Sequence, residues 1–259
     1  MLFRSAAQGA STADRQAIAK REPLTFIQDP YPSFSSIAVD DVRNEVVMTD
    51  ENRFRIMWYD RTATTPANAE ATTPKRIVNG LNTHTQYASD VYIDQQSGDT
   101  FLINNDTVHN TTVYNRQASG DAPPTREFPS PYGNFGIAVD ESKNELYLTL
   151  QHNSAIMVYK KASGMTDFAT RLIQGPHTGM GDPHGIAFDP KNRLLYIANY
   201  GTAHDVKMGE TGTGGRPRLP NWPAGNYGQE ILKGTGRFED PSITVISADA
   251  NGEIGRAHV

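Results

Sequence analysis

The stretch HGIAFDPKNRLLYIAN, residues 184–199, decides the fold. It reads as an apolar strand, a turn opened by Asp189 and a second apolar strand, a pattern expected where strands are covered on both faces. Three other stretches repeat it: SSIAVDDVRNEVVMTD (35–50), SDVYIDQQSGDTFLINN (89–105) and FGIAVDESKNELYLTLQ (135–151). The aligned aspartates, Asp40, Asp94, Asp140 and Asp189, lie 54, 46 and 49 residues apart. A β-rich period of about fifty residues marks a repeat architecture.

Each unit continues in the same order. A third strand usually ends in tyrosine: RIMWY (55–59), TTVYN (111–115), AIMVY (155–159) and, after a long insertion, SITVI (242–246). A fourth ends in a basic-apolar step: KRIV (75–78), TREF (125–128) and TRLI (170–173). Four antiparallel strands per unit make a propeller blade, so the expected class is all-β, a β-propeller of four-stranded antiparallel blades with four blades visible. The third strand, nearer the rim, should alternate more than the first. LTFIQ (24–28) holds a fourth-strand position with no first three strands before it. In a closed propeller such a segment completes the last blade.

PHGIAFDPKNRLLYIAN (183–199), echoed by GIAVDESKNELYLTL (136–150) and SSIAVDDVRNEVVMT (35–49), resembles the NHL-repeat and related six-bladed β-propellers of bacteria, from about Leu24 onward. The resemblance implies six blades, of which this chain carries four with the fourth broken, and a periplasmic or extracellular protein. Residues 1–23 then form an N-terminal tail and residues 24–259 a partial propeller interrupted by an insertion at 200–240. The terminal peptides MLFRS (1–5) and IGRAHV (254–259) correspond to translations of a common sequencing adapter. They are read as library-derived ends on a segment of a longer gene. Such a fragment would leave apolar blade faces without neighbours, and aggregation or domain-swapped assembly is expected.

Composition narrows the partners. A net charge of −5 with both signs interspersed provides no basic stripe for nucleic acid or an anionic membrane. No apolar run reaches membrane-spanning length, so membrane insertion is not expected. The absence of cysteine excludes disulfides, redox CxxC chemistry and thiolate metal sites. The tail, MLFRSAAQGASTADRQAIAKREP, lacks the continuous apolar core of a signal peptide.

In an antiparallel blade the first strand begins where the second ends, so loops after the second strands open on that face, where propeller function collects. First-strand starts there supply Ser35, Ser89, Asp90, Asn134, Phe135 and His184; second-strand ends and the residues after them supply Asn105, His152 and Asn199. The insertion at 200–240, with Trp222 among its Gly- and Pro-rich residues, reads either as a lid over the mouth or as an unstructured surface loop. His184 could ligate a metal or move protons, and it resembles the PHG-type start of propeller lyases and lactonases. A metal needs several converging ligands, and the equivalent positions are Ser35, Ser89 and Phe135. The turn aspartates are expected to bond nearby backbone N–H groups, and Arg76, Arg126 and Arg171 to be solvated or paired along the rim.

The preferred expectation is a non-catalytic module binding a small molecule, glycan or protein on the loop-rich face, with no cofactor. One alternative is a lyase or lactonase-type hydrolase in which His184 joins a divalent metal. The other is a structural repeat of a larger exported protein.

Overall fold

The structure is a computed structural model that describes residues 12–31, 33–106, 108–175, 177–201 and 241–253. Two compact units divide the chain, a small one formed by residues 1–31 with 62–73 and a large one formed by 32–61 with 74–259. In the small unit a helix, α1 (Thr12–Ala19), precedes the 24–28 segment. That segment forms no strand. Thr65 N–H donates to the Phe26 carbonyl (2.7 Å) and Thr72 N–H to that of Gln28 (2.8 Å), so its backbone groups are held by neighbouring loop residues.

The large unit is the propeller, with four small antiparallel sheets arranged as four blades. Blade 1 contains β1 (Phe34–Asp40), β2 (Glu45–Asp50), β3 (Arg55–Asp60) and β4 (Arg76–Val78). Blade 2 contains β5 (Ala88–Ile93), β6 (Thr100–Asn104), β7 (Asn110–Tyr114) and β8 (Arg126–Pro129). Blade 3 contains β9 (Asn134–Asp140), β10 (Glu145–Leu150), β11 (Ala155–Lys160) and β12 (Arg171–Gln174). Blade 4 contains β13 (Pro183–Asp189), β14 (Leu194–Asn199) and β15 (Ser242–Ser247). The short β16 (Gly252–Glu253) leaves blade 4 and pairs in parallel with β12 of blade 3.

The turn aspartates act as the sequence suggests. Asp40 accepts the Arg43 N–H (2.9 Å), Asp94 that of Gln96 (2.8 Å), Asp140 that of Ser142 (2.9 Å) and Asp189 that of Lys191 (2.9 Å). Each turn ends on a left-handed residue, at Asn44, Gly98, Asn144 and Arg193, which explains the Asn or Gly of the first three; in blade 4 an arginine takes that position.

The third strands depart from expectation. β3, β7 and β11 are buried almost continuously instead of alternating; for β7 and β11 this is because neighbouring blades cover both faces. Only β15 alternates, having a neighbour on one face. The outer-strand arginines also do more than line the rim. Arg126 donates to the carbonyls of Lys161 (2.8 Å) and Ser163 (2.7 Å) in the next blade, and Arg171 to those of Ala248 (2.9 Å) and Ala250 (2.7 Å). Arg76 instead forms a two-armed pair with Glu45 of its own blade, 3.0 Å in each arm, while its guanidinium lies over Trp58.

Candidate functional site

The register sets the start of each first strand beside the end of the second. Phe34 pairs with Asp50, Ala88 with Asn104, Asn134 with Leu150 and Pro183 with Asn199. The pairing then slips in every blade, between Phe34 and Ser36, Ala88 and Asp90, Leu148 and Leu150, and Pro183 and Ile186. This repeated β-bulge holds Ser35, Ser89, Phe135 and His184, and bulges re-aim side chains beside functional sites. No local signal in the sequence announces it.

Most polar residues of this face bond to the propeller itself. Ser35 Oγ lies 2.8 Å from Thr49 Oγ1, and Ser89 Oγ donates to the Phe135 carbonyl of the next blade at 2.7 Å. Asp90 joins three blades: it accepts from Ser36 Oγ (2.5 Å) in blade 1 and from the Ile137 N–H (2.9 Å) in blade 3. Burial pushes its carboxyl up, against these hydrogen bonds. Asn199 accepts the Gly181 N–H (3.1 Å) and donates to Thr244 Oγ1 (2.9 Å). Asn134 is fully buried, donating to Thr111 Oγ1 (3.3 Å), while its Oδ1 has no partner. Asn105 holds the Tyr87 carbonyl through its N–H (3.1 Å) and accepts the Gly133 N–H (3.2 Å).

Between blades 3 and 4 the face changes character. The His184 ring is stacked between Phe135 (centroids 3.9 Å apart, 17° between planes) and Tyr200 (5.2 Å, 14°). Tyr200 is 70% exposed, so the stack ends at solvent. A second row runs alongside, with His152 stacked on Tyr132 (5.2 Å, 21°) and His109 tilted against the same tyrosine (5.9 Å). Gly133, at φ +78°, clears the space: a Cβ there would sit 2.9 Å from the His152 ring.

His184 also faces a carboxylate. Its Nε2 lies 3.5 Å from Asp182 Oδ1, and neither buried atom has a hydrogen-bond partner. Burial draws the imidazole pKa down, assisted by the His152 charge and opposed by Asp182. Asp182 adopts the left-handed conformation (φ 53°), uncommon for a non-glycine residue and typical of constrained positions beside sites. Its N–H is held by Ser154 Oγ (3.4 Å), and its carbonyl accepts the Tyr200 N–H (3.0 Å).

The structure therefore brings Phe135, His184 and His152 into the neighbourhood of Asp182, Tyr132 and Tyr200, three residues that sequence reasoning passed over. Tyr200 was within reach of it, as the first residue beyond β14 and the counterpart of Asn105 and Gln151. Trp222 and the rest of the insertion from residue 202 lie outside the described residues. Among the described residues no three His, Asp or Glu side chains converge closely enough to hold a metal ion, and no helix is long and apolar enough to cross a membrane.

Neither a family model nor a curated protein sequence matches the chain. Among solved structures it is similar to Kuenenia stuttgartiensis hydrazine synthase, with a TM-score of 0.51, 12% identity and 69% of this chain covered. A functionally unknown protein from Desulfotomaculum acetoxidans gives a TM-score of 0.49, 18% identity and 65% of this chain covered. The chain spans 45% and 49% of those two chains. At such identities the likeness to the first shows the fold alone.

Proposed function

We propose that this propeller is a non-catalytic binding module that takes a small molecule, glycan or protein side chain at the mouth between blades 3 and 4. The observation that carries the reading is the Phe135–His184–Tyr200 stack, which ends in an exposed aromatic face beside the Asp182 carboxylate. Rings fixed by stacking present apolar area at little entropic cost, and a nearby carboxylate orients a hydroxyl or amine. On the same reading the repeat is of the NHL type, within an exported bacterial protein of six blades; the GIAxD pattern supports this.

Saturation-transfer NMR with a panel of mono- and disaccharides and flat aromatic compounds tests the proposal. A hit abolished by Tyr200→Ala without a change in the unfolding curve is the expected result. Hits indifferent to both Tyr200→Ala and His184→Ala would sink it.

The facing, unpartnered atoms of Asp182 and His184 favour one second reading, a lyase or hydrolase using His184 as a base or metal ligand. It would need further metal ligands from beyond the described residues. A rise in unfolding midpoint with added zinc or manganese, lost in His184→Ala, would favour it over simple binding.

A further inference from the structure

At three places in the propeller a carboxylate and an aromatic ring share one cation. Arg76 pairs with Glu45 (3.0 Å) and lies over Trp58, 4.4 Å from the ring centroid. Arg171 pairs with Glu145 (2.7 Å) and lies over Tyr147 (5.9 Å). Arg193 pairs with Asp140 of the preceding blade (2.7 Å) and lies over Phe188 (5.7 Å). Ion pairing and the negative face of the ring hold each cation together.

The mouth between blades 3 and 4 repeats two of these three parts. Asp182 supplies the carboxylate and Tyr200 the exposed ring, with the Tyr200 N–H fastened to the Asp182 carbonyl (3.0 Å). Among the described residues no lysine or arginine is ion-paired with Asp182; the group facing it is His184, 3.5 Å away, whose proton affinity burial lowers. Asp90 likewise lacks a lysine or arginine, but it accepts from Ser36 Oγ and from the Ile137 and Val91 N–H groups. Asp182 Oδ1 receives no donor. A carboxylate oxygen drawn out of water without a donor is costly, and at 25% exposure the Asp182 side chain stays within reach of a ligand.

We propose that the ligand of this mouth is a small primary amine with a flat apolar body, its ammonium bound to Asp182 and its body laid on Tyr200. Granted the binding reading above, the ligands narrow from polar molecules in general to cations. An ammonium brings charge and N–H donors together, whereas a sugar hydroxyl would leave the anion unbalanced. The face of Tyr200 adds its own preference for a neighbouring positive charge. A lysine side chain of a partner protein would match the carboxylate but has no ring to lay on the stack.

Titration calorimetry of the full chain with tyramine and with 4-ethylphenol, the same ring without the amine, tests this. Tyramine is expected to bind about tenfold more tightly, the worth of one charge-assisted hydrogen bond. That comparison requires no variant. Asp182→Asn should bring the two affinities together with the unfolding curve unchanged, since asparagine also accepts the left-handed backbone at φ 53°. Equal affinities in the parent, a tenfold gap that persists in Asp182→Asn, or no uptake of tyramine overturns the inference. Equal affinities that both fall in Tyr200→Ala overturn the cation alone and leave the binding reading standing; titrations indifferent to Tyr200→Ala end that reading as well.

Discussion

At one position of the repeat, blades 1 and 2 carry Ser35 and Ser89 where blades 3 and 4 carry Phe135 and His184. The backbone is the same bulge in all four, yet the outcomes differ. The serines turn their hydroxyls onto neighbouring strands, and with Asp90 they sew the inner strands together. The aromatic pair forms a stack that reaches solvent. A repeat thus supplies equivalent positions, and the residue placed there decides between holding the blades and meeting a ligand.

Substitutions can break that comparison, beginning on the sewn side. Asp90→Ala strands the Ile137 N–H and the Ser36 hydroxyl in the interior, and urea unfolding should record a loss of about 3 kcal/mol. Gly136→Ala comes next. Its Cβ would lie 2.4 Å from the His184 carbonyl, a backbone atom unable to yield easily, so blades 3 and 4 must separate at a cost of about 2 kcal/mol in the same assay. Ser89→Ala removes one inter-blade hydrogen bond and should cost about 1 kcal/mol while leaving ligand capture intact.

The smallest effect belongs to the stacked side and is read against pH. Because burial lowers the His184 pKa in the folded protein, the unfolded chain takes up that proton first. The group's contribution is complete above its ordinary value of 6.5 and is lost as pH falls from there toward the folded pKa. The difference in unfolding midpoint between the parent and His184→Phe should therefore narrow on acidification through that window. A difference that is flat with pH would place the histidine in a solvated setting.

The repeat was legible because each strand pair carries its own turn aspartate, and three of the four a left-handed Asn or Gly, all of them local features. The slip at the start of each first strand was not, since an extra residue between Phe34 and Ser36 looks like any other strand residue until its partner is known. The same limit hid Asp90. As a sequence feature it is one acid at a strand start; only the approach of Ser36 and Ile137, 54 and 47 residues away along the chain, makes it a three-blade junction. Asp182 and Tyr200 escaped for a related reason, because a ring stack is assembled across blades and leaves no spacing rule within either.

The guanidinium contacts of Arg126 and Arg171 set a direction on synthesis. Each arginine binds carbonyls of the blade after its own, at residues 161 and 163 or 248 and 250. A blade emerging from the ribosome must therefore wait for about a further blade's worth of chain before its outer strand is fastened, as neighbour-dependent repeats do. During that interval the nascent outer strand is the segment most open to chaperones and to mispairing.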